Sequence, residues 1–343
     1  MTFKRVGRDS SKSPIPFKPP WTLSFHLFSL SQHHLKSVLI PNHVRRPQTL
    51  ELSDRVVPET RNIQISPRRS IIHESYRLPP ELWIEIFSHC LADFPRIDSC
   101  QIPSTTLASV CKAWNHLVMT TPRFWSKFEI VYEDLNHSQV QQDDIMRTLQ
   151  LWLRRSRQHP LSFRLIHKYA GSPTNPVGST RYLTTLVSHA SRWQNVQFHG
   201  PSESLVLLPS QLPNGKLPTL RSLSFHVNGS AGFPFDVASL NIPWSQLSGL
   251  DLQIYQDNAH SLNECFTFLS SARNLTCVAL NATFPFTLGG HLETITLPYL
   301  RSFKLSIQGS DSEGTAELSL RDFLEHVSIP NLTTFSLEWQ DPR

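Results

Sequence analysis

The sequence predicts an α plus α/β solenoid class, in which a small three-helix module is followed by an irregular array of strands and helical returns. Three observations carry that expectation. Between residues 78 and 128, two short apolar periods of helical type flank a proline-containing connection. From 190 to 340, an apolar-x-x-apolar-x-apolar motif recurs six times. Ahead of both, residues 1–70 are rich in Pro, Ser and Arg and sustain no period of 2 or 3.6.

The 343 residues include 26 prolines, with 39% apolar and 17% charged side chains. That is too apolar for a wholly disordered chain and too interrupted for one long coiled coil. No stretch approaches the ~20 apolar residues of a membrane span. The net charge of +5 is unevenly spread. Residues 1–70 hold 12 Lys/Arg against 4 Asp/Glu, and residues 71–343 hold 20 against 23. The basic character therefore belongs to a tail, expected to be disordered over 1–75, and a nucleic-acid role for the body is disfavoured. The apolar run Trp21–Leu30 starts late, contains His26, and lacks a small-residue cleavage site, so it is not read as a secretory signal. Five scattered cysteines form no CxxC pair, which argues against a disulfide framework and against a zinc site.

The helical module is expected over 76–130. Leu78-Pro79-Pro80-Glu81-Leu82 puts prolines at a helix entrance, where a missing N–H costs nothing, and an acid in the first turn. Leu82, Ile86 and the Cys90/Leu91 pair then form an apolar face that Trp83 and Phe87 widen. A second periodic run follows in Leu107, Val110, Cys111, Trp114, Leu117 and Val118, and Thr121-Pro122 stops it before Phe124-Trp125. Such a unit is too small to bury much surface alone, and its spare face suits docking on a partner or on the rest of the chain.

Three blocks within it, Leu78-Pro79-Pro80-Glu81-Leu82, Leu107-x-x-Val110-Cys111-Lys112-x-Trp114 and Pro122-x-Phe124-Trp125, occur in the order of the F-box, which the segment resembles over about 78–128. The connection 92–106 is longer than in a minimal F-box. The resemblance implies docking on a Skp-type adaptor and, through it, on a cullin. It also implies that Leu78, Pro79, Leu82, Ile86, Leu107, Val110, Trp114 and Trp125 carry that contact.

A linker helix is expected over 131–160. Asp143–Arg157 has carboxylates first, arginines last, and Ile145, Leu149, Trp152 and Leu153 on one face. An array over 161–343 follows. The six motifs begin at Trp193, Leu220, Leu247, Leu275, Leu300 and Leu332, a mean spacing of 27.8 residues, within the 20–29 window of leucine-rich repeats. Pro160–Leu165 reads as a further, cryptic strand. Proline-led entries recur at Leu217-Pro218, Leu297-Pro298 and Ile329-Pro330. An asparagine ladder is missing, with only Asn228 in place, so the array is expected to be irregular. The alternative is an unrelated α/β domain with Leu-rich strands.

Strand residues between the apolar positions are expected on one open face. The target-binding candidates there are Asn195, Gln197, His199, Ser224, His226, Asp251, Gln253, Asn281, Lys304, Ser306 and Glu338, a polar and nearly neutral set that suits a protein partner. No phosphate-loop, dinucleotide-loop, HExxH or GxSxG signature occurs, so no catalytic residue, metal or cofactor is expected. The expected function is a non-catalytic, substrate-recruiting subunit of a cullin-RING ubiquitin ligase in the cytoplasm or nucleus, acting at no membrane. An adaptor-binding role outside a ligase and a chromatin role of the basic tail are the alternatives.

Overall fold

The fold is known from a computed structural model, which describes residues 78–97, 103–133, 138–168, 177–205, 207–212, 217–228, 235–255, 260–283, 294–308 and 315–340. All of these lie in one compact unit. The disordered-tail expectation for 1–75 falls outside the described residues.

Three short helices come first: α1 (Pro80–Cys90), α2 (Pro103–Val110) and α3 (Lys112–Thr120), with a 3-10 turn over Pro122–Trp125. Strand β1 (Lys127–Glu133) follows at once. Then come α4 (Gln139–Arg155), β2 (Leu161–Lys168), α5 (Val177–Val187), β3 (Trp193–Pro201), the single turn α6 (Leu208–Gln211), β4 (Ser222–Asn228) and β5 (Gly249–Tyr255). The remainder comprises β6 (His260–Ser261), α7 (Leu262–Ser271), β7 (Cys277–Thr283), β8 (Ile295–Thr296), β9 (Ser302–Gln308), α8 (Thr315–Glu325), β10 (Val327–Ser328) and β11 (Thr334–Gln340).

Eight of these strands make one parallel sheet in the order β1-β2-β3-β4-β5-β7-β9-β11, with β6 paired beside β7; β8 and β10 form a separate short pair. Every strand in the order follows its predecessor in the chain. Parallel neighbours need a crossover, and among the described residues a helix or 3-10 turn lies in every connection except that from β7 to β9. Local chemistry sets their ends. Ser138 and Gln141 form a capping box at α4, as do Ser261 and Glu264 at α7. The three proline-led entries fold as matching turns, in which Leu220, Leu300 and Leu332 donate N–H to Leu217, Leu297 and Ile329 at 3.2, 3.4 and 3.4 Å.

The expected fold class is corrected. The structure is an α/β unit built on one mostly parallel, eight-stranded central sheet with helices, not a three-helix module followed by a leucine-rich-repeat array. Two findings overturn the expectation. The helices at 80–120 do not close on themselves, because Phe87, Val118, Phe124 and Trp125 belong to the same buried cluster as the sheet residues Phe128 and Phe163. The connection 92–106 does not simply loop out either: Glu129 donates its N–H to the Pro95 carbonyl at 3.0 Å, and Ile97 donates to the Glu129 carbonyl at 3.1 Å, which covers the outer edge of β1. Secondly, the unit between strands does not repeat. It is a 17-residue helix after β1, an 11-residue helix after β2 and, among the described residues between β4 and β5, a 3-10 turn (Trp244–Gln246). The motif recurs in the strands, but the returns differ, and a repeat array needs both.

The linker expected over 131–160 also changes character. Its start lies inside β1, and α4 covers the sheet with Ile145, Met146, Leu149, Trp152 and Leu153 buried. The positions of the first five motifs, among them Val196, Phe198, Leu223, Phe225, Leu250, Leu252, Val278, Leu280, Phe303 and Leu305, are all at most 3% exposed and fill one core, whereas Phe335 of the sixth is 45% exposed. Among the described residues, no helix is long and apolar enough to cross a membrane.

Candidate functional site

Two surfaces gather the residues singled out by sequence. The first lies on α1 and α2. Helix α1 starts at Pro80 and has Glu81 in its first turn. One side of it faces the core: Phe87 is fully buried, and its ring lies 5.6 Å from Trp83, 4.6 Å from Trp114 and 6.2 Å from Phe124. Aromatic pairs at such separations reinforce burial by about 0.5–1.5 kcal/mol each. The other side is apolar and open. Leu78 is 41%, Leu82 50% and Ile86 42% exposed, and Val110 at the end of α2 is 59% exposed. Pro79 is exposed too. Large apolar side chains held in water in this way mark an interaction surface when they cluster. On its polar flank Glu85 meets Arg123 at 3.1 Å and His89 at 3.5 Å.

Of the eight adaptor-contact candidates, Leu78, Pro79, Leu82, Ile86 and Val110 are therefore on the surface. Leu107 and Trp114 are half-buried and packed on the core. Trp125 has no exposed surface. Its indole N–H donates to the Val118 carbonyl at 2.8 Å, and the Arg155 guanidinium lies over its ring at 4.3 Å from the centroid. It is a core residue that braces the surface from beneath. Partial burial lowers the pKa of Arg155, which is thus occupied in packing.

The second surface is the face of the sheet opposite the apolar motif. Parallel register aligns its residues in rows across the strands. One row runs Glu129, Arg164, Gln197, Ser224, Asp251, Ala279, Lys304, Ser336. The next runs Val131, Ile166, His199, His226, Gln253 and, after the split between β5 and β7, Asn281, Ser306, Glu338. All eleven target-contact candidates fall on this face. Their exposure differs. His199 and Glu338 are exposed, and Asn195, Gln197, His226, Asp251 and Lys304 are intermediate. Ser224 and Gln253 are 7% exposed, Ser306 1% and Asn281 0%.

Asn281 has a structural task. Pairing of β5 with β7 ends at Leu252 and Leu280. Beyond that point the Asn281 amide reaches back to the Ile254 carbonyl at 3.2 Å and bridges the gap. This buried bond is worth more to the sheet than to a partner.

Charges on the face are mostly matched. Lys304 meets Glu338 at 3.0 Å, Lys168 meets Glu133 at 2.8 Å, and Arg164 approaches Glu129 at 3.7 Å. At its centre the His226 ring is 2.7 Å from Asp251 and 5.5 Å from the His199 ring, and the Ser224 hydroxyl donates to the same Asp251 oxygen at 3.3 Å. Desolvation and the adjacent His226 hold the His199 imidazole below its ordinary pKa. Desolvation, with Asp251 and Glu338 adding to it, raises that of the Tyr255 phenol. Glu129, Arg164 and Tyr255 share the face although they were not among the sequence candidates. Glu129 was legible, because it alternates with Phe128 and Ile130. Among the described residues no group of three or more His, Cys, Asp or Glu side chains is placed to hold a metal.

No protein-family pattern matches the chain, and comparison with the curated proteins and with the solved structures found no match.

Proposed function

We propose that the chain is a substrate-recruiting subunit of a cullin-RING ubiquitin ligase, without catalytic chemistry of its own. In this reading the apolar surface of α1 and α2 docks on a Skp-type adaptor, and the polar face of the sheet holds a target protein. The observation that supports it is the split of α1. Leu78, Leu82 and Ile86, the residues through which 78–128 resembles the F-box, are the apolar ones left in water, while Phe87 on the same helix anchors the core. An amphipathic helix with a second apolar face is suited to a groove between partner helices. Holding a target near a charged conjugating enzyme acts by effective concentration, so the chain contributes proximity rather than bond-making.

The test is capture of the full chain on an immobilised Skp-type adaptor, with cullin added. The reading expects a complex containing all three proteins, and capture without cullin recruitment moves the chain to an adaptor role outside a ligase. Leu82→Asp and the Leu78→Ala/Pro79→Ala pair should abolish capture. Equal, weak capture of wild type and variants removes the ligase reading.

A further inference from the structure

The two edges of the main sheet differ. The outer edge of β1 is covered by Pro95–Ile97 through the two backbone bonds to Glu129. The opposite edge is β11, which has β9 on one side and, among the described residues, no strand on the other. On β9 the core-facing residues Phe303, Leu305 and Ile307 are at most 1% exposed. Their register partners on β11 are Phe335, Leu337 and Trp339. Phe335 and Trp339 are each 45% exposed, and Leu337 is half-buried. A seven-residue edge strand with one apolar face is a template for further strand pairing.

The backbone polarity of β11 fixes which groups face outward. Thr334 donates its N–H to the Arg301 carbonyl on the β9 side at 2.9 Å. Alternate residues of a strand turn their N–H and C=O to alternate sides. Thr334, Ser336 and Glu338 thus bond toward β9, and Phe335 and Leu337 turn theirs away from it.

We propose that β11 pairs with β11 of a second copy, antiparallel, about a two-fold axis at Leu337. The order Phe335-Ser336-Leu337-Glu338-Trp339 reads the same in character from either end: aromatic, polar, leucine, polar, aromatic. Under that axis Leu337 lies opposite Leu337 of the second copy, and the two exchange both N–H···O=C bonds. Phe335 lies opposite Trp339 on the apolar face, which stays continuous across the joint. On the polar face Ser336 lies opposite Glu338. That carboxylate already meets Lys304 at 3.0 Å, so no like charges oppose one another. Head-to-tail growth from β11 onto β1 is closed off by Pro95–Ile97, which leaves the closed, isologous pairing. The strip is narrow beside a standard interface, so a micromolar dimer is expected.

Sedimentation equilibrium of the full chain between about 1 and 100 µM tests this. The wild type should shift from monomer to dimer across that range. Phe335→Pro removes one outward N–H and no bond to β9, and Leu337→Lys sets two ammonium groups against each other at the axis. Each should weaken dimerisation by at least about tenfold while the circular dichroism spectrum is kept. Ser336→Glu, a surface change that leaves the core untouched, should weaken the dimer at low salt and release it from that penalty at high salt. A wild type that stays monomeric at the top of the range overturns the proposal. So does a dimer that is equally tight in folded Phe335→Pro and in Ser336→Glu at low salt.

Discussion

The indole ring of Trp125 stands edge-on to that of Trp152, with centroids 5.2 Å apart and planes at 74°. Trp125 ends the helical segment, and Trp152 comes from α4, so this contact ties the segment bearing the exposed leucines to the helix that covers the first strands. Phe128 continues it at 5.9 Å from Trp152 and stacks on Phe163 at 5.9 Å. Both tryptophans are fully buried.

Trp125→Ala should accordingly destabilise the whole unit, by about 3–5 kcal/mol, the usual cost of emptying a buried aromatic site. Chemical denaturation followed by fluorescence and by far-ultraviolet dichroism should show one shifted transition in both signals. Loss confined to the 78–125 helices, with the sheet transition unmoved, would show that the two parts do not share a core.

Gly200 brings the backbone of β3 close to β2. Its φ is +158°, and a Cβ there would lie 2.8 Å from the Cβ of His167 on β2. Gly200→Ala should cost about 1–3 kcal/mol through overpacking, read as a lowered denaturation midpoint. His167 is itself held, its Nδ1 2.6 Å from the Ser204 hydroxyl.

The pH dependence of stability should carry the mark of His260. The residue is 3% exposed. Desolvation lowers its pKa below the ordinary 6.5, although Glu264 opposes the shift. The unfolded chain then binds a proton at a pH where the folded one does not, so stability rises with pH through this window. It should be full above the unfolded value of about 6.5 and fall as the pH drops below it. Denaturation midpoints from pH 7.5 to 5 should decline in the wild type and decline less in His260→Gln. Parallel slopes would assign the decline to other groups.

Much of the sheet was legible in sequence, because strand cores obey a short rule. The motif positions from Trp193 to Leu305 are buried as a period-2 pattern requires, and the residues between them share the opposite face. What escaped the pattern has physical reasons. Strand β1 (Lys127–Glu133) was absorbed into a module and a linker, since Val131 breaks its alternation and is itself buried. The covering of β1 by Pro95–Ile97 rests on main-chain bonds, which carry no side-chain signature. On α1 both Leu82/Ile86 and Trp83/Phe87 satisfy a helical period. Periodicity cannot say which pair is buried, and aromatic packing on Trp114 and Phe124 decides it. Asn281 looked like an exposed contact because alternation places it on the polar face, and only the divergence of β5 from β7 makes it a bridge.

Variants on the polar face should separate holding a target from holding the fold. His199→Ala and Gln197→Ala touch partly exposed side chains and should leave stability within about 0.5 kcal/mol of wild type. On the proposed reading their loss is in target capture, measured with the adaptor contact intact. Asn281→Ala should do the reverse, lowering stability by about 1–3 kcal/mol by orphaning the Ile254 carbonyl.

On the proposed reading the exposed side of α1 serves docking and not folding, and calorimetric titration of Leu82→Asp into a Skp-type adaptor, beside its own thermal melt, separates the two roles. The expected result is a melting temperature close to wild type, since Leu82 is half in water already, together with loss of measurable adaptor binding. Unchanged adaptor affinity, or no affinity in the wild type, would contradict it.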